Sequence, residues 1–130
     1  MKICYTTLAC PNWDLDTILA RTKEYGFDGL DLRGYLDMVD VTLHPAFTTG
    51  LAETKQKIAD SGLPICGIST SIKVCVADAM EANLSEARRT IKLAAELGLI
   101  HGKCKPGCPW QNGIVERSHR TDNEELFQVM

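Results

Sequence analysis

No apolar run in this chain approaches the roughly 20 residues needed to span a bilayer, which leaves nothing to read as a transmembrane helix. A basic excess is missing as well. With 14 Lys and Arg against 17 Asp and Glu, the net charge is -3, and general affinity for nucleic acid or for anionic membrane surfaces is not expected. An export signal is also lacking. The opening MKICYTTLACPNWD carries one lysine, a broken apolar stretch and no small-residue cleavage site, so it reads as a first strand, and a cytoplasmic location is the expectation.

What the chain does have is a soluble globular balance, 45% hydrophobic and 24% charged over 130 residues, enough for one domain with a core. Its first hundred residues repeat. Gly26, Gly62 and Gly98 stand 36 residues apart, each closing an amphipathic run, and the first two lead into apolar segments, Gly29 to Arg33 and Ile65 to Ser69. This is the pattern of a β/α repeat. After Gly98 only Leu99 and Ile100 follow before GLIHGKCKPGCP turns to histidine, lysine, cysteine and proline, so a join between unrelated pieces is expected there.

In chain order, Lys2 to Thr6 predicts strand one, and Asp14 predicts the N-cap of a first helix with Leu15, Ile18, Leu19, Thr22 and Tyr25 inward. Gly26 ends it, with Phe27 folding back. Gly34 to Thr48 is too apolar for a free loop and is expected to fold over one end of the sheet. The second helix is predicted over Leu51 to Ser61, with Leu51, Ile58 and Ala59 inward; Gly62 and Pro64 stop it. Asn83 and Glu86 have capping-box spacing and predict the start of a third helix, whose buried stripe would be Leu84, Ala87, Ile91, Ala94 and Ala95. The near-continuous apolar ICGIS suggests a parallel sheet covered on both faces. Cys4, Cys10, Cys66 and Cys75, in or beside these strands, read as small buried hydrophobes of a reducing compartment.

The runs YGFDGLDLRG (Tyr25 to Gly34), SGLPICGIS and NLSEARRTIKLAAELG, in this order and spacing, resemble the sugar phosphate isomerase/epimerase group of xylose-isomerase-like barrels over Met1 to Gly98. The resemblance implies an α/β fold made of the first three βα units of a (βα)8 TIM barrel, with chemistry at the carboxyl ends of the strands. It also implies a divalent metal held by Glu, Asp and His from the second half of the barrel, a half this sequence lacks. No metal site can be assembled from residues 1–98, and no cofactor is expected in this chain. The groups left at strand ends are Thr6, Thr7, Arg33, Ser69 and Thr70, which would face a small sugar or sugar phosphate. Arg33 could pair with a phosphate or carboxylate, or with a neighbouring acid, Asp31 or Asp37; the hydroxyls could equally satisfy loop backbone. His44, before Pro45, reads as an ordinary loop histidine.

The segment KPGCPWQNGIVERSHRTDNEELFQ (Lys105 to Gln128) resembles the end of the catalytic core of insertion-sequence transposases and integrases, over about residues 103–130. There three carboxylates hold two metal ions. By that likeness Glu116 stands at the third carboxylate, Arg120 lies one helical turn on, and the two upstream aspartates have no counterpart in residues 1–98. Read from its residues alone, this tail is a short solvated helix, charge-balanced with four basic and four acidic groups. His101, Cys104, Cys108 and His119 offer a weaker zinc-site alternative, since their spacing matches no common structural-zinc pattern.

The expectation from sequence is therefore two segments, a partial barrel over residues 1–98 and an unrelated tail over 99–130. The chain reads as a truncated isomerase-like protein, interrupted by an insertion sequence and catalytically incomplete. A DNA-recombination fragment and a small zinc or binding module are the alternatives. An incomplete arc leaves strand edges unprotected, and the inward residues Ile3, Leu30, Leu32, Ile65 and Ile68 are expected to lack partners, inviting self-association.

Overall fold

Three short strands, Cys4–Thr6 (β1), Gly29–Leu32 (β2) and Ile65–Ile68 (β3), pair in parallel in the order β1-β2-β3. They alternate with the helices Leu15–Glu24 (α1), Leu51–Ser61 (α2) and Met80–Glu96 (α3). The structure is a computed structural model that describes residues 2–73 and 75–100. Everything anticipated for 101–130, including Glu116, Arg120, the four candidate zinc ligands and most of the join, lies outside the described residues.

Each repeat closes the same way. Gly26, Gly62 and Gly98 have φ of +72°, +69° and +74°, a left-handed conformation that a Cβ would strain. After the first and third, the next amide reaches back five residues: Phe27 N donates to Thr22 O at 3.0 Å and Leu99 N to Ala94 O at 2.9 Å. Phe27 then packs on Tyr5, ring centroids 4.8 Å apart, and Leu99 packs against the core. Asp14 caps α1 through Oδ1, which accepts from Thr17 N at 2.9 Å.

The core lies between the sheet and its helices. Leu30 and Leu32 of β2 are fully buried, in one cluster with Ile65 of β3, Leu15, Ile18 and Leu19 of α1 and Leu93 of α3. Helices from the first and third repeats thus pack on the same face of the sheet. The connection after β2 returns to this cluster through Tyr35, Val41 and Phe47, by way of two 3-10 turns, Val41–Leu43 and Pro45–Phe47. Tyr35 Oη accepts from Leu15 N at 2.9 Å, and Thr54 of α2 donates to Ala46 O at 2.6 Å.

Several expectations need correction. Leu30, Leu32, Ile65 and the half-buried Ile68 are not an inward face without partners, because they are the face the helices cover; among the five, Ile3 alone is exposed. The sheet is not apolar on both sides. Its other face carries Cys4, Thr6, Gly29, Asp31 and Gly67, alternating with the buried residues as a half-covered strand requires. Cys4, Cys66 and Cys75 are exposed, and only Cys10 is buried. Tyr25 and Ala59 point to solvent.

Helix α3 departs most. It begins at Met80, so Asn83 and Glu86 lie inside it and form no capping box. Both instead clamp the loop after β3. Glu86 is buried and accepts from Ser71 N and Ser71 Oγ, both at 2.6 Å, while Asn83 exchanges hydrogen bonds with the Lys73 backbone at 3.0 and 3.2 Å. The rotation that turns Glu86 inward carries Leu93 into the core and leaves Leu84 and Ile91 at 42% and 65% exposure. Truncation should separate the two readings of α3. Leu93→Ala is expected to lose about 2–5 kcal/mol in urea unfolding, and Ile91→Ala to stay within about 0.5 kcal/mol of the parent; the reverse order would restore the stripe read from sequence.

Candidate functional site

At the carboxyl end of the sheet three strand termini meet in one polar row. Thr6 pairs in register with Asp31, and Asp31 with Gly67, so that Thr6 and Asp31 share the face left open by the helices. Gly67 permits the crowding there, since a Cβ at that position would stand 3.1 Å from Asp31 Oδ1. Ser69 Oγ donates to Asp31 Oδ2 at 2.8 Å. Thr70 follows, half-buried.

Arg33 is exposed at the end of β2, and none of the ion pairs among the described residues includes it. Asp31, one of the two acids expected to hold it, is engaged by Ser69 instead. Arg33 therefore offers its guanidinium to solvent, where its planar fork suits a phosphate or carboxylate. Thr7 does different work. It is buried, and its Oγ1 donates to Gly34 O at 2.6 Å, lies 3.1 Å from Arg33 O and accepts from Arg33 N at 3.0 Å. Its hydroxyl is thus committed to tying the end of β1 to the end of β2. Thr6 Oγ1 accepts from Leu8 N at 3.5 Å, a long bond that leaves it mostly free. His44 accepts from Ala46 N through Nδ1 at 3.0 Å and lies edge-on to Tyr35, as a turn-capping histidine.

The divalent metal implied by the barrel resemblance finds no ligand shell here. Among the described residues no three of His, Cys, Asp and Glu converge, and Asp31 is a single carboxylate with one oxygen taken by Ser69. The residues present do not fit that ion. Likewise, among the described residues no helix is long and apolar enough to cross a membrane.

Asp31, expected as a partner of Arg33, and Glu86, expected in a capping box, hold Ser69 and Ser71 instead. The alternation in GLDLR did carry the signal for Asp31, because a period of two sets Asp31 and Arg33 opposite Leu30 and Leu32. A groove of about 990 Å³ lies elsewhere, between α2 and α3, with Thr42, Phe47, Lys55, Arg89 and Glu96 among its walls. Its charges are largely spoken for: Lys55 Nζ meets Glu96 Oε2 at 3.1 Å, and Arg89 meets Asp40 Oδ2 at 2.8 Å. Comparison with protein-family models, with curated proteins and with solved structures finds no match to this chain.

The Asp40–Arg89 pair fixes the connection after β2 to α3. Burial pushes the Asp40 carboxyl up, but hydrogen bonds from Thr42 Oγ1, Arg89 and Thr42 N together outweigh it and hold the group below the usual carboxylate range. A depressed folded pKa means that the unfolded chain takes up the proton first. The stabilisation is therefore complete above the unfolded value, about pH 4, and is lost as pH falls through the folded one. Asp40→Asn should cost about 1–2 kcal/mol at pH 7, discounted for the part-exposed Arg89, with the gap to the parent narrowing toward pH 3. Urea titrations at the two pH values check this; a gap independent of pH would remove the pair's electrostatic role.

Proposed function

We propose that residues 1–98 are the first three β/α units of a sugar phosphate isomerase/epimerase-like barrel, and that their strand-end row is the substrate-side portion of such a site. The observation that carries this reading is the sequential parallel order with helices from different repeats on one face, which leaves a polar row of Thr6, Asp31, Arg33 and Ser69 at the carboxyl ends of the strands. Arg33 would take the phosphate or carboxylate end of a small sugar phosphate, while Thr6 and Thr70 meet its hydroxyls. Ser69 holds the Asp31 carboxylate in place beside them. Proton transfer between sugar carbons needs a pair of positioned acid–base groups, and this row supplies one carboxylate. The chain accordingly binds weakly and does not turn over.

The remainder of the reading concerns the join. The NGIVER segment favours an origin of the tail in a transposase or integrase core, with Glu116 as a solitary member of a three-carboxylate set. One carboxylate cannot hold the metal pair such strand transfer uses, and the net charge of -3 offers no general attraction for DNA. An interrupted gene accounts for both segments. Inverted repeats in the surrounding DNA, and codons for further β/α units beyond them, would support it; continuous unrelated sequence on both sides would not.

Binding is tested by titrating a ketose phosphate into the isotopically labelled protein and following backbone amides. Saturable shifts at Arg33, Ser69 and Thr70 are expected with a Kd on the order of 1 mM, weakened roughly tenfold by Arg33→Ala. No metal-dependent isomerisation should accompany them in Mg²⁺ or Mn²⁺. Shifts scattered away from the strand ends, or none, would refute the substrate-side assignment, and turnover lost in Arg33→Ala would refute the claim of catalytic silence.

A further inference from the structure

Near the amino ends of the strands, on the same open face, two cysteines from strands that are not neighbours come together. Cys4 of β1 and Cys66 of β3 lie on either side of β2, yet their sulfur atoms are 2.7 Å apart. Three features of the chain make the approach. Gly29, opposite Cys4 in β2, keeps the gap between them clear, since a Cβ there would fall 2.6 Å from Cys66 Sγ and 2.7 Å from Pro64 O. Register shifts in β3, where Ile65 pairs with Leu30 and Gly67 with Asp31, and the intervening Cys66 is re-aimed as the extra residue of a bulge. The backbone is held on both sides as well: Asp28 N donates to Ile3 O at 2.8 Å, and Leu30 N to Pro64 O at 3.1 Å. Both thiols are exposed.

We propose that Cys4 and Cys66 form a reversible dithiol–disulfide site, oxidised in the folded chain by low-molecular-weight disulfides of the glutathione class. The contact itself carries this. Non-bonded carbon atoms settle about 3.5–4.0 Å apart, and sulfur is larger, so two sulfurs at 2.7 Å already stand inside ordinary packing distance. A disulfide bond is about 2.05 Å long, which leaves a closure of under about 1 Å between side chains that already meet. The exchange balances in two steps. One cysteine, as its thiolate, attacks the small disulfide and releases one small thiol, leaving a mixed disulfide on the protein; the second thiolate then attacks the protein-side sulfur and releases the other. In sum the two cysteines lose two protons and two electrons, and the small disulfide gains both as two thiols. The mixed disulfide does not accumulate, because β1 and β3 hold the second thiol at the point of attack. The bond joins residues 62 apart in sequence, and such a closure constrains the unfolded chain more than the folded one.

The test uses the full-length protein with Cys75, Cys104 and Cys108 changed to Ser and the buried Cys10 retained, equilibrated under argon in mixtures of reduced and oxidised glutathione. The hydrogen bond with Cys66, with some desolvation, pushes the Cys4 thiol up to about 11 and slows its attack, so the exchange is run at about pH 8. Acid quenching, alkylation and peptide mapping without reduction should show the Cys4 and Cys66 peptides linked and lighter by two hydrogens, with the glutathione adduct a minor species. In Cys4→Ser and Cys66→Ser the remaining cysteine should carry the adduct instead. The ratio of linked to reduced protein should fall at least about tenfold when the same equilibration is made in unfolding urea, and the linked protein should unfold at a urea midpoint about 1 M or more above the reduced one. An adduct as the main product in the protein with both cysteines, or a linked fraction as large in the unfolded as in the folded chain, would overturn the proposal. So would a pair that remains reduced in excess oxidised glutathione.

Discussion

A parallel strand must be reached by a crossover, and when successive strands are laid down in sequence order with crossovers of one hand, every crossover helix falls on the same side of the sheet. The arrangement β1-β2-β3 therefore decides most of what else is seen. It creates a covered face, where Leu30, Leu32 and Ile65 meet Ile18, Leu19 and Leu93, and an open face, where Cys4, Thr6, Asp31 and Gly67 stand. Helix–sheet burial supplies the stability; the open face carries the polar strand-end groups.

On that open face a glycine in each of β2 and β3 leaves room for a neighbouring side chain. Gly29 lets two thiols meet across β2, and Gly67 lets the Asp31 carboxylate sit against β3. The thiol contact also shows in the Cys4 ionisation: its hydrogen bond with Cys66, some desolvation and the nearby negative charge of Asp28 push the Cys4 thiol up to about 11. Farther along, Thr7, Ser69 and the Glu86–Ser71 clamp tie the strand ends and the loop after β3 into place. Arg33 projects from this braced frame without an acidic partner among the described residues, which suits recognition of an anion better than support of the fold.

Much of this was legible in the sequence, and the parts that were not share a cause. The helices over Leu15–Glu24 and Leu51–Ser61 follow from the Asp14 cap, the apolar spacing and the glycines at 36-residue intervals, all local signals. The strands fell within a residue or two for the same reason. The face of α3 did not follow, because Asn83 and Glu86 satisfy the spacing of a capping box while their partners, Lys73 and Ser71, lie in a loop whose position depends on tertiary packing. Reading ICGIS as a doubly covered strand failed for a related reason. A bulge at Cys66 interrupts the alternation, and composition cannot reveal a bulge. Within the candidate site, Arg33, Thr6 and Ser69 were anticipated as strand-end residues; the engagement of Asp31 by Ser69 rather than Arg33 depends on a contact between β2 and β3 that sequence spacing does not specify.

The central claim, one dry face and one wet face on a sequentially ordered parallel sheet, is most directly tested by adding a soluble paramagnetic agent and measuring the extra nuclear relaxation it causes along the three strands. The account predicts strong relaxation at the side chains of Cys4, Thr6 and Asp31 and almost none at the methyl groups of Leu30, Leu32 and Ile65. Equal protection of both sets would contradict it, since the sheet would then be covered on both sides and its polar row closed to any ligand.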